Sequence, residues 1–120
     1  MRGLTILVAA ADGDRLHAAF TYAAAAAAAG GAAHVHLHEG AVALLRAPAS
    51  AQGDPLRAAN GLPSLLQVLE EALALGVRIT LCQSGLALAG LAMDQLDPRL
   101  DVLGPIGLLS ANDGDRWLVF

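Results

Sequence analysis

Short apolar runs alternate with longer stretches of helical period along the whole chain. Thr5 to Ala9 is apolar without helical periodicity and predicts a buried strand. Asp12 and Asp14 follow, and either can cap a helix by accepting from its free N–H groups. That helix runs through "RLHAAFTYAAAAAAA" and stops at Gly30–Gly31. "AHVHLH" then alternates as a second strand, ended by Glu39–Gly40, and "AVALLR" predicts a brief helix.

Residues 47–61 are rich in Ala, Pro, Gly and polar side chains. They predict a mobile surface loop or an ordered flap within one domain, not a linker between two. Pro63 and Ser64 open the next helix, with Leu65, Leu66, Leu69, Ala72 and Leu73 on its apolar face and Gln67, Glu70 and Glu71 turned to solvent. Gly76 closes it, and "VRITLC" is the third strand. "GLALAGLAMDQL" predicts a helix, "LDVLG" a short fourth strand, "PIGLLSAN" a turn of helix, and "DRWLVF" a last strand that could run either way.

This alternation predicts a single α/β domain over residues 1–120, a three-layer α/β/α sandwich around a mostly parallel five-stranded sheet. In such sheets the working edge lies at the carboxyl ends of the strands, where the turns begin at Ala10, His38, Cys82 and Gly104. The common doubly wound arrangement places the first strand between the second and the third.

Composition narrows the function classes. The chain is 56% hydrophobic and 15% charged, which leaves few residues to solvate its surface and predicts burial of part of it against further copies. All seven basic residues are arginines, scattered singly, with 3% aromatic residues and a net charge of −4, so nucleic acid is excluded as an expected partner. The opening apolar run is short and ends in Asp–Gly–Asp, which suits a strand entering a turn better than a secretory leader. The alanine tract is broken by glycines and predicts no membrane span. A single cysteine excludes an intrachain disulfide and fits a reducing cytoplasm.

That cysteine, Cys82, ends the third strand with a helix beginning just beyond it. The free N–H groups and dipole of a helix start favour an anion, and the thiolate is the nucleophilic form of cysteine. Ser84 can cap the helix and Gly85 keeps the turn open, so Gln83, Ser84 and Gly85 are candidate binding residues. Asp12 and Asp14, in the turn after the first strand, are the expected neighbours of the thiol, where their charge would raise its pKa although they serve first as caps. Asp12 and Gly13 join the candidate binding residues. Cysteine also packs as a small hydrophobe, and position alone leaves both readings open.

His34, His36 and His38 share one face of their strand, but no second group of ligands accompanies them, so no metal site is assigned. With the expected strand order, His38 and Cys82 stand two strand spacings apart, roughly 10 Å, which disfavours a Cys–His hydrolase. "ADGDR" has too few glycines for a dinucleotide-binding turn, and no phosphate-binding loop is present.

The layout resembles the DsrE/DsrF-like sulfur-relay family over nearly the full length. The resemblance is carried by the Asp-containing turn and Ala-rich helix ending in Gly, by "HLHEGAVALL", by "RITLCQSGLALAGL" and by the ending "DGDRWLVF". It implies a small α/β/α sandwich assembling as a homotrimer or hexamer, or with related subunits. It further implies that the cysteine matching Cys82 carries sulfane sulfur as a persulfide, taken from a donor and passed to an acceptor thiol, with no metal or organic cofactor. Cys82 is followed by Gln83–Ser84–Gly85 with no second cysteine, so the acceptor thiol belongs to a partner.

Overall fold

The computed structural model describes residues 2–120. Five strands form one sheet in the order β4-β3-β2-β1-β5, and every neighbouring pair is parallel. They are β1 (Leu4–Val8), β2 (Ala33–Leu37), β3 (Arg78–Leu81), β4 (Asp101–Val102) and β5 (Arg116–Val119). The helices are α1 (Gly13–Ala28), α2 (Asp54–Ala59), α3 (Leu65–Ala74), α4 (Gln83–Ala89) and α5 (Pro105–Ala111), with 3-10 turns at Glu39–Leu45 and Met93–Gln95. The three-layer α/β/α class read from the sequence holds, and the last strand runs parallel to the first.

The expected order of the central strands does not hold. β2 lies between β1 and β3, and β1 between β2 and β5, because β1, β2, β3 and β4 follow one another across the sheet before the chain returns to pair β5 with β1. Right-handed crossovers stepping in one direction stack their helices on one face, and the reverse crossover puts its helix on the other. α1 and α3 accordingly pack together on one side, and α5, on the return path, covers the other.

The α1–α3 side holds the core. Leu16, Ala19, Phe20 and Ala23 recur at helical spacing along α1 and are fully buried against Ile6, Val8, Val35 and Leu37. Asp12 caps α1 through the N–H groups of Asp14 and Arg15, and Gly30, at φ 94, lets the chain turn away after it. On α3, Ser64 and Gln67 form a reciprocal capping box. The helix buries Leu65, Val68, Leu69 and Ala72, whereas Leu66, expected on the apolar face, is exposed.

Residues 47–61 are ordered through Asp54, which accepts from the backbone N–H groups of Ala51 and Leu65 and from Arg57. They include the short α2, where a loop was expected. The helix expected over residues 85–96 is also shorter. It starts at Gln83 and stops at Ala89, because Gly90 takes the left-handed conformation and turns the chain.

Candidate functional site

Cys82 stands at the carboxyl end of β3 and serves as the N-cap of α4. Its backbone N–H continues the sheet by donating to the Leu37 carbonyl, so the residue is tied to the end of β2. Beyond Leu37 the chain turns sharply: Glu39 sits at φ 45, a left-handed conformation rare for a residue with a side chain. That turn aims the Glu39 N–H at Cys82, and it donates to Sγ over 2.9 Å. The Gly85 N–H, in the first turn of α4, donates to the same sulfur over 3.3 Å, and the Ser84 hydroxyl stands 3.4 Å from it.

Gly85 has a steric reason to be glycine. A Cβ there would stand 2.7 Å from the Glu39 carbonyl oxygen and 2.8 Å from Val42 Cβ. The missing side chain lets α4 settle on the 3-10 turn that supplies the Glu39 N–H. The two donors reach the sulfur from segments more than forty residues apart in sequence, held together by this close approach.

The electrostatics of the site favour an anion. Burial pushes the Cys82 thiol up, but the Ser84 hydroxyl and the N–H groups of Glu39 and Gly85 outweigh it. The thiol therefore ionises below its ordinary range, and the charge of the nearby Glu39 carboxylate works against this. Cys82 is 5% exposed, while Gln83 and Ser84 beside it lie open to solvent.

Gln83, Ser84 and Gly85 thus gather at Cys82, the latter two touching the sulfur. Asp12 and Gly13 do not. With β2 between their strand and β3, two strand spacings, roughly 10 Å, separate the two turns. Asp12 is used as the α1 cap, and Gly13 is a close-approach position whose added Cβ would lie 3.0 Å from Ala51 Cα. Asp14 pairs with Arg57 over 2.9 Å. This second turn borders a separate crevice where the strand order reverses between β1 and β5, of about 500 Å3, lined by Asp12, Asp14, Arg15 and Phe120 among others.

The spacing argument against a His38–Cys82 dyad also fails, since β2 and β3 are neighbours. The dyad is nonetheless not formed: the sulfur's partners are two amides and a hydroxyl, and His38 Nε2 lies 3.7 Å from Glu39 Oε1. His34 and His36 are buried and both hydrogen-bond to Thr80 Oγ1 at 2.7 Å. Among the described residues no group of three or more His, Cys, Asp or Glu is arranged to hold a metal ion.

Glu39 is the functional residue that sequence reasoning missed. Its contribution is a backbone N–H, which no side-chain pattern advertises. The usable signal was Glu39–Gly40 directly after the second strand, informative only once β2 and β3 are known to be neighbours.

No protein-family model matches the chain, and no curated protein matches it in sequence. Solved structures do resemble it. The ychN protein from E. coli superposes with a TM-score of 0.72 at 20% identity, with all of both chains covered. MTH1491 from Methanobacterium thermoautotrophicum, described as a protein of unknown function, gives 0.71 at 16% identity, again over both whole chains. At these identities the likeness shows a shared fold, the five-stranded parallel sheet with helices on both faces.

Proposed function

We propose that the chain is a sulfur-relay subunit of the DsrE/DsrF-like kind that carries sulfane sulfur on Cys82. The observation that carries this reading is the convergence of the Glu39 and Gly85 N–H groups and the Ser84 hydroxyl on one sulfur atom. Donors aimed at a thiol stabilise its thiolate, the form that attacks. In the loading step the Cys82 thiolate attacks the outer sulfur of a donor persulfide, forming the Cys82 persulfide and releasing the donor as a thiolate. In the unloading step an acceptor thiolate takes the outer sulfur, and Cys82 leaves as a thiolate. No net oxidation occurs. Gln83 and Ser84, exposed beside the sulfur, mark the side from which a partner thiol approaches.

Incubating the protein with a sulfane donor and measuring intact mass tests this directly. One added sulfur in the native protein and none in Cys82→Ser is the expected result; an unchanged native mass contradicts it.

A second reading has its own observation. Cys82 is 5% exposed and accepts the Gly85 N–H as an N-cap, a task serine performs in other helices. In that case the chain is a non-catalytic binding or scaffold subunit whose cysteine is structural. Resistance of Cys82 to alkylation in the folded state favours that alternative; fast modification favours the carrier.

We also propose self-association, as a homotrimer or hexamer, in the cytoplasm. Ile106 at 84% and Val119 at 69% exposure are large apolar side chains left open on α5 and on the edge strand β5. No helix among the described residues is long and apolar enough to cross a membrane. Sedimentation of the untagged protein tests the assembly, and a monomer at micromolar concentration contradicts it.

A further inference from the structure

The face of the sheet under α5 carries a chain of buried polar groups that the thiol site does not use. Asn112, near the end of α5, donates through Nδ2 to the Leu108 carbonyl over 2.6 Å, which fixes its Oδ1 as the acceptor for His34 Nδ1 at 3.1 Å. His34 Nδ1 therefore bears the proton, and the neutral ring presents a lone pair at Nε2. Burial keeps the ring neutral, lowering its affinity for a second proton. Thr80 Oγ1, 2.7 Å from that nitrogen, must donate its only proton there. It is left to accept from His36 Nδ1, also at 2.7 Å. The tautomer of His36 follows: Nδ1 carries hydrogen and Nε2 is a bare acceptor.

Among the described residues nothing hydrogen-bonds His36 Nε2, although the residue is only 2% exposed. Nor is this nitrogen sealed away, since among the described residues no fully buried side-chain nitrogen or oxygen lacks a partner. His36 lines a cavity of about 230 Å3 between α5 and the sheet. Leu7, Pro105, Leu108, Leu109 and Trp117 line that cavity together with His36 and His38. At about 30 Å3 per water, this is the volume of seven or eight waters. It suits one ring. The mostly apolar lining disfavours a charged guest, and the aligned donors behind His36 polarise its free lone pair.

We infer that this cavity binds a small, neutral, single-ring molecule with one hydrogen-bond donor, a phenol by chemical class, whose O–H donates to His36 Nε2. Cys82 and α4 take no part in the lining, so the inference stands apart from the sulfur reading.

Trp117 is the only tryptophan in the chain and lies in the cavity wall, so its emission reports occupancy. Phenol, anisole and toluene share the ring, but only phenol offers the donor. Titration of the full chain is expected to give a saturable change in Trp117 emission with phenol in the millimolar range, and binding about tenfold weaker for anisole and toluene. His36→Phe is expected to abolish the preference for phenol. Equal affinities for the three probes, or no saturable response to phenol, overturn the proposal. Should His36→Phe fail to fold, the three-probe comparison on the native chain still decides, and nitrogen NMR of the His36 ring must show the Nδ1–H tautomer.

Discussion

The backbone N–H of Glu39 donates to Sγ of Cys82 over 2.9 Å, across 43 positions of sequence. The bond exists because β2 and β3 are neighbours and because Glu39 accepts a left-handed backbone, φ 45, at the end of its strand. It couples a strained turn to the ionisation of a thiol. The Glu39 side chain opposes what the backbone does, since a carboxylate disfavours a second negative charge nearby.

Glu39→Gln separates those two effects. It keeps the N–H and removes the charge, so the midpoint of Cys82 alkylation against pH is expected to fall below that of the native chain. A midpoint that rises shows that the carboxylate supports the thiolate, contrary to the account.

Gly85→Ala tests the close approach that assembles the site. The added Cβ meets the Glu39 carbonyl and Val42, so α4 must move off the 3-10 turn. A loss of about 1–3 kcal/mol in denaturant unfolding is expected, together with a rise in the alkylation midpoint as the donors separate from the sulfur. Native stability in the variant contradicts the packing described for α4.

His36 makes stability depend on pH. Burial, aided by His34 and His38, pushes its pKa from 6.5 to about 4 in the folded chain. Above 6.5 neither folded nor unfolded chain protonates the ring, and its contribution to stability is complete. As the pH falls from 6.5 to 4 the unfolded chain takes up a proton that the folded chain refuses, and stability drops by about 3 kcal/mol in all. The unfolding free energy of His36→Phe, followed over the same interval, should lack this component. Parallel curves for the two proteins contradict the buried, neutral assignment.

The strands and the main helices were legible because a buried parallel sheet imposes short apolar runs, and caps such as Asp12 and Ser64 announce helix starts. Strand order was not. It depends on the direction of each crossover, which leaves no mark on local periodicity. The error spread to the site: the turn of Asp12, Gly13 and Asp14 was placed beside the thiol, when β2 and its Glu39 turn occupy that position. Gln83, Ser84 and Gly85 were readable because they follow Cys82 directly in sequence. The three-histidine face was seen, but not its division into two buried rings tied to Thr80 and an exposed third. Thr80 and Asn112 give no sequence signal, being ordinary residues until β3 and α5 bring them to His34.

The central claim is that converging donors make one thiol ionise below its ordinary range, and the thiolate absorbance of Cys82 followed against pH, with Cys82→Ser as the blank, tests it most directly. Cys82 is the only cysteine, so the signal has a single source. The account predicts a midpoint below the roughly 8.5 of a free cysteine. A midpoint at or above that value would mean that burial outweighs the converging donors, and that Cys82 is a packed thiol.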